Sequence, residues 1–309
     1  MSLSRFDLFC VGGTSVDLVL RVPRILVSDE KQLVTFEGLV PGGMIANAAC
    51  AAGRLGLRTG WSGRVGDDDA GKAYLAAFAD YDVVVSSAQV LPDSITDLCV
   101  VLVEPSGVRS LMIVPTINAY PELSVTVKNE LKRSTFAYTI PYALSWFQEF
   151  SKAVHAGGGK VVVDVEASIP MPKEDVYSAL RMVDIVFCSE EGALFASGKD
   201  NVDEAAAEIL ANGPALVIVT LGARGAAAFE VGHCIKVPGF KVPVVDTTGA
   251  GDCFHAAFLA GLLQEKSVEE CLLFASAAAA ISVGHAGPRG GLPTSVEVEA
   301  FLEVKNPQA

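Results

Sequence analysis

The 309-residue sequence is poor in positive charge, histidine and tryptophan: 23 Lys and Arg stand against 36 Asp and Glu, with four His and two Trp. A formal net charge of −13 argues against nucleic acid or an anionic membrane surface as the main partner, because both need a cationic face. It does not exclude an anionic nucleotide, which a local site with Mg2+ can hold. Four isolated histidines give no metal-ligand spacing. No apolar run reaches the roughly 18 residues of a membrane span, and no basic segment followed by an apolar block and a cleavage site opens the chain. Seven cysteines (10, 50, 99, 188, 234, 253 and 271) form no C-x-x-C pair. An odd, scattered set, mostly within apolar runs, reads as reduced buried thiols in a cytoplasmic protein. A dinucleotide oxidoreductase would want G-x-G-x-x-G after the first strand, and Gly12-Gly13-Thr14-Ser15-Val16-Asp17 does not supply it.

What is present is an apolar chain, 51% hydrophobic and 19% charged, long enough to bury a substantial core. Strand-like runs at 7–11, 98–103, 111–114, 135–140, 160–165, 185–188 and 216–221 mix with helix-like runs at 44–55, 70–79, 144–155, 202–211, 251–263, 268–283 and 296–302. Near-continuous apolar strands such as Val161-Val162-Val163 suit a sheet covered on both faces. The expected fold is α/β, a mostly parallel sheet with helices on both sides. No repeat or Pro/Ser-rich linker divides it, so we read one domain over 1–309, leaving Met1-Ser2-Leu3 out of the fold argument. The stretches 18–40 and 86–115, rich in β-formers with no helix between runs, read as strands lying off the main sheet. Ordinary edge hairpins are the plain alternative.

The most informative segment is Asp246-Thr247-Thr248-Gly249-Ala250-Gly251-Asp252, placed between an apolar strand expected at 242–245 and an alanine-rich helix. A helix start leaves about four N–H groups without intrahelical partners and carries roughly half a positive charge. Glycines let that backbone approach an anion. The amides of Gly249, Ala250 and Gly251 therefore form a candidate anion hole, with Asp252 at its mouth as the general base for phosphoryl transfer onto a hydroxyl. At a helix start this carboxylate is expected to be held ionised at pH 7. A strand–turn–helix in which Asp is only a helix-start charge is the plain alternative. His255, three residues on, is the rival base, although a lone His among Ala and Phe reads better as a packed core residue. Gly66-Asp67-Asp68-Asp69-Ala70-Gly71-Lys72-Ala73 fits G-x-x-x-x-G-K but lacks the final Ser/Thr, and its aspartates would repel phosphate. Asp17, just after the first strand, lies where open α/β sheets bind ligands and can accept two hydroxyl hydrogen bonds; a plain turn carboxylate is the alternative.

Asp-Thr-x-Gly-Ala-Gly-Asp followed by Phe and a small-residue helix resembles the C-terminal signature of the PfkB, or ribokinase-like, carbohydrate kinases. Gly42-Gly43-Met44-Ile45-Ala46-Asn47 is similar to that family's N-terminal signature, 63–71 to its GxxGxDxxG segment, and Val219-Thr220-Leu221-Gly222-Ala223-Arg224-Gly225-Ala226 to its nucleotide-side motif. The matches run from about Gly12 to Pro293. The resemblance implies a ribokinase-like fold in which 18–40 and 86–115 form a β-lid and often a dimer contact, and the Asp-rich 63–71 segment is a structural turn. It implies ATP-dependent phosphorylation of a primary hydroxyl of a small sugar or sugar derivative. Asp17, Gly42, Gly43 and Asn47 become sugar contacts, although Asn47 also reads as a plain polar helix residue. Thr220, Gly222 and Gly225 become nucleotide contacts, with 277–280 and 284–293 near the adenine. Glu191 would act on Mg2+ through water. Asp246, Thr248, His285 and Gly287 would form a monovalent-cation site, for K+. Arg289 could meet a nucleotide or an anionic substrate, and reads by default as a solvated loop arginine. Two departures stand out: Cys188 takes the place of the family Asn, and Asp164-Val165-Glu166 replaces Asp-x-Asn. Several segments look closest to the fructose and sulfofructose kinases; a nucleoside kinase or a non-catalytic sugar or nucleotide sensor on the same fold is the alternative.

Overall fold

A computed structural model describes residues 6–105, 109–117, 120–167 and 172–305. Met1-Ser2-Leu3 and a short piece of the 86–115 stretch lie outside them. The chain enters with strand β1 (Phe6–Val11), leaves for the hairpin β2 (Ser15–Arg21) and β3 (Thr35–Gly42), and returns through helix α1 (Met44–Arg54) to β4 (Thr59–Ser62). A small pair, β5 (Arg64–Gly66) and β6 (Gln89–Leu91), brackets α2 (Asp69–Ala76) and the 3-10 turn Ala77–Tyr81. β7 (Leu98–Val103) and β8 (Arg109–Val114) make a second excursion. There follow α3 (Val125–Leu131), β9 (Ser134–Thr139), α4 (Leu144–Ala156), β10 (Lys160–Val165) and α5 (Lys173–Leu180). Next come β11 (Ile185–Ser189), α6 (Glu190–Ser197), α7 (Val202–Ala211), β12 (Leu216–Thr220) and the strands β13 (Ala226–Glu230) and β14 (His233–Val237). The last helices are α8 (Ala250–Leu263), α9 (Val268–Ser282) and α10 (Ser295–Lys305).

The main sheet has the order β14-β13-β12-β11-β10-β9-β1-β4, parallel except where β13 pairs with β12 and β14. Alternate residues of a strand face opposite sides. Leu8, Cys10, Val162 and Ile218 therefore join one core with α1, α8 and α9. Phe9, Val11, Val161, Val163 and Val217 join the other with helices α3 to α7. Both sides being covered, the strands need no polar alternation.

The two excursions form one four-stranded sheet, β3-β2-β7-β8, apart from the main sheet. Its central pair, β2 with β7, is parallel, and Asp17 lies opposite Cys99. Asp17 is thus within strand β2 and is not a turn carboxylate after β1. The pairing puts Leu18, Leu39, Val100 and Met112 on one face and Asp17, Cys99, Arg109 and Ile113 on the other.

The strand expected at 242–245 does not form. Pro243 has no N–H for a ladder, and Val245 and Asp246 instead donate to the Val283 carbonyl at the end of α9, at 2.8 and 3.2 Å. The helix expected over 70–79 breaks at Ala76 into the 3-10 turn.

Candidate active site

The loop before α8 is shaped by its own first residue. Asp246 Oδ1 accepts from the Thr248 amide at 2.9 Å and its hydroxyl at 2.6 Å, and Oδ2 accepts from the Gly287 amide at 3.0 Å. Arg109, reaching from β8, donates to the same Oδ1 at 2.9 Å and to Thr247 Oγ1 at 3.1 Å. Gly249 caps α8 with φ +75°, and a Cβ there would meet the Pro288 carbonyl at 2.6 Å, so both conformation and close approach require glycine. No side chain caps this helix; the Ala250 amide donates to the Thr247 carbonyl at 3.3 Å, and the rest of the helix start is open to an acceptor from a ligand or water. A Cβ built on Gly251 meets nothing within 4 Å. The cradle is open where a side chain would fill it.

Asp252 sits in the first turn of α8, only 8% exposed. Its Oδ2 accepts from Asn47 Nδ2 at 2.9 Å. Burial pushes the carboxyl up to about 7; the Asn47 hydrogen bond pulls against this, Glu166 repulsion adds to it, and the Arg289 charge opposes it. The expectation of a carboxylate held ionised is therefore corrected: desolvation outweighs the helix start. A carboxyl poised near 7 takes and returns a proton at neutral pH. The rival, His255, has its basicity pulled down to about 3 by burial. Its Nδ1 is 2.9 Å from the Tyr138 hydroxyl and its ring stacks on Phe187 at 4.4 Å, so it is a packed core histidine. Asp164, 3.8 Å from the same Nδ1, is also buried, and burial pushes its carboxyl well above the usual range.

Arg289 corrects a second expectation. It is buried, not solvated. Nε donates to Asn47 Oδ1 at 2.9 Å and Nη2 to the Gly42 carbonyl at 3.0 Å. Gly42 lies tight against Asp17, since a Cβ there would come within 2.5 Å of the Asp17 carboxylate. Asp17 accepts from Ser15 Oγ at 2.7 Å, and burial raises its pKa against the pull of Ser15 and Arg289. Gly43 caps α1 with φ +86°. Asp17, Gly42, Asn47 and Asp252 are thus joined by contacts in which Arg289 is the central group. Nothing in a Gly- and Pro-rich turn marks its arginine for burial, and Arg109 likewise gives no signal in sequence.

Thr220 ends β12, its hydroxyl 3.5 Å from the Cys188 carbonyl. Gly222 is open, whereas a Cβ on Gly225 would meet the Val237 carbonyl at 2.1 Å, so Gly225 serves the turn between β12 and β13. Glu191 is exposed in the first turn of α6, and its neighbour Glu190 pairs with Arg224. The Cys188 side chain is fully buried, its Sγ 3.6 Å from the Ile218 carbonyl. In the Asp-rich loop, Asp68 caps α2 and accepts from both Thr96 N and Oγ1, while Asp67 accepts from Asp93 N and Ser94 N. These carboxylates hold the approach to β7, as a structural turn should.

The match to the model of the pfkB family carbohydrate kinases covers residues 5–295, and the chain belongs to that family. Phosphoryl transfer from ATP to a sugar is the activity of this class. The chain is similar to the ribokinase of Haemophilus influenzae, 29% identical over 97% of this chain and 99% of that protein. It is also similar to fructokinase-1 of Oryza sativa, again 29% identical, over 94% and 96%. Among solved structures, Arabidopsis thaliana ribokinase complexed with ribose and ATP superposes with a TM-score of 0.87 at 28% identity, over 97% and 99% of the two chains. Equal identity to the two kinds of kinase sets the family and not the sugar.

Proposed function

We propose that this protein, as one kinase domain with its lid, transfers the γ-phosphoryl group of ATP to a primary hydroxyl of a small sugar or sugar derivative. Asp252 takes the hydroxyl proton as the oxygen attacks, and the amides of Gly249, Ala250 and Gly251 hold the charge on the transferring group. The observation that carries this reading is a carboxyl buried beside an uncapped helix start, its pKa lifted to about 7. Asp17, Gly42, Gly43 and Asn47 face the acceptor; Thr220, Gly222 and Gly225 lie on the nucleotide side. Mg2+ would supply charge neutralisation at the phosphates when bound, and Glu191 would hold it through water. The described residues contain no cluster of three metal-binding side chains, which fits an ion held mainly by nucleotide phosphates and water.

A coupled ADP-release screen over sugars, sugar phosphates, sulfonated ketoses and nucleosides tests the reading, with ribose and fructose first because relatives are named for them. Turnover of nucleosides alone would make it a nucleoside kinase, and nucleotide or sugar binding without turnover a sensor.

Asp17→Ala should weaken acceptor binding by some tenfold to several hundredfold, because charge-assisted bonds from two hydroxyls are each worth roughly 1.5–3 kcal/mol. ATP affinity should change little. Calorimetry showing the loss on the nucleotide side would place the acceptor elsewhere.

Asp246, Thr248 and the backbone at His285 and Gly287 form the proposed monovalent-cation site. Arg109 already supplies a positive charge to Asp246, and two cations at one carboxylate repel. Turnover in K+ should therefore exceed that in Na+ only modestly, and the ratio should grow in Arg109→Gln. A ratio unchanged by that substitution would remove Arg109 from the account. The lid face carrying Leu39 and Met112, both about half exposed, is the proposed homodimer contact; light scattering that reads a monomer at micromolar concentration would exclude it. Among the described residues no helix is long and apolar enough to cross a membrane.

A further inference from the structure

Arg289 is 8% exposed, yet no carboxylate lies within ion-pair distance of it among the described residues. Its Nη1 is buried with no hydrogen-bond partner. An unpaired buried cation is costly, and what surrounds it is specific. The guanidinium lies over the rings of Tyr74 and Phe78, 5.4 and 5.3 Å from their centroids. Tyr74 donates to the same Gly42 carbonyl that Arg289 holds, at 2.7 Å. Tyr81 braces the turn by donating to the Arg289 carbonyl at 3.3 Å. A long side chain has been carried out of water to reach two atoms, Asn47 Oδ1 and the Gly42 oxygen.

The consequence lies in the Asn47 amide, which has one accepting and one donating end. Arginine can only donate, so Oδ1 must face Arg289 and Nδ2 must face Asp252. Freed of Arg289, the amide can turn over. Oδ1 would then meet Asp252, a contact that suits the protonated acid and opposes the ionised one. We infer that Arg289 is a positioning residue for phosphoryl transfer, locking Asn47 so that Asp252 always receives a donor and fixing the Gly42 carbonyl beside Asp17. The inference rests on Asp252 being the base proposed above.

Other groups also act on Asp252. Asn47 of α1 donates to it, and Glu166 beyond β10 repels its charge. Asp164 of β10, Tyr138 of β9 and the neighbouring Cys253 each feel its charge. None of these brings a positive charge; Arg289 does.

The test is the carboxyl titration of Asp252, read by 13C NMR on the unliganded protein and identified by its loss in Asp252→Asn. In Arg289→Met the midpoint should rise by about one pH unit, and the acidic limb of kcat should move with it, so that turnover recovers toward the parent at high pH. Arg289→Lys keeps the charge but not the fork, and should move the midpoint less, in the same direction; it also serves if the methionine variant does not fold. Asn47→Ala should raise the midpoint by itself, and adding Arg289→Met to it should raise it further by less than Arg289→Met does alone, because only the direct charge of the arginine is then left to lose. A folded Arg289 variant that lowers turnover equally at every pH and leaves the Asp252 midpoint in place would make Arg289 a structural residue only. The two failures separate: Asp252→Asn active within about threefold of the parent removes the base, whereas an inactive Asp252→Asn with an unmoved midpoint in the Arg289 variants removes only this inference.

Discussion

Asp252→Asn should lower kcat by roughly 10²–10⁴ while leaving ATP binding nearly intact. The amide matches the carboxylate in size and can still accept the Asn47 hydrogen bond, so what it loses is the ability to take a proton. The pH dependence follows from the same group. The base works only when ionised, and with its pKa lifted to about 7 turnover should climb with pH through that value and level off above it. Stability runs the other way. Between the ordinary value of 3.8 and about 7 the unfolded chain gives up a proton that the folded protein retains, so Asp252 lowers stability as pH rises across that window. Asp252→Asn abolishes this loss and should melt at or above the parent temperature at pH 8. An inactive variant that melts lower would point to damage to the fold. One active within about threefold of the parent would return the proton to another group, although the packed His255 is a poor substitute.

Gly251→Val should abolish ATP turnover with the fold retained. The position carries no backbone strain, and a side chain there would stand in open space, so the protein itself has no reason to object. What a branched side chain would meet is the phosphate expected at the helix start. Gly249 could not serve for this test, since any Cβ there collides with Pro288. The matched control is Gly71→Val, where the new atoms would run into the Gly66 carbonyl at 2.3 Å and disturb the turn whether or not nucleotide is bound. Calorimetry should find nucleotide affinity lost in the first variant, and the second damaged in its melting temperature without a selective loss of nucleotide. The reverse pattern would move the phosphate site to the aspartate-rich loop.

The α/β architecture could be read from the chain because covered strands such as Val161-Val162-Val163 and the helix of 202–211 carry their patterns locally. The second sheet could be read as two stretches lacking helices, but not as one sheet, since the pairing of β2 with β7 joins distant segments. The short helices α3, α5 and α6 escaped because seven or eight residues hold too little periodicity. At the site, the glycines and aspartates of 246–252 stood out by spacing alone. The pKa of Asp252 did not, because it depends on what α1 and the 284–293 turn pack over it. Arg289 was lost for the same reason: its burial is decided by Tyr74, Phe78 and Asn47, none of them near it in sequence.

The pairing of Val16 with Leu98 also constrains how the molecule assembles. Some eighty residues must emerge and begin to fold before β2 has its central neighbour, and closing so long a loop is entropically slow. Until then the hairpin of β2 and β3 has one apolar edge unsatisfied, and β8 later presents Leu111, Met112, Ile113 and Val114, all exposed, at the rim. Refolding should therefore be biphasic, with the main sheet forming before the lid. Chains arrested between the two phases would be the ones prone to stick to each other, which makes low protein concentration and slow dilution the sensible conditions for recovering active enzyme.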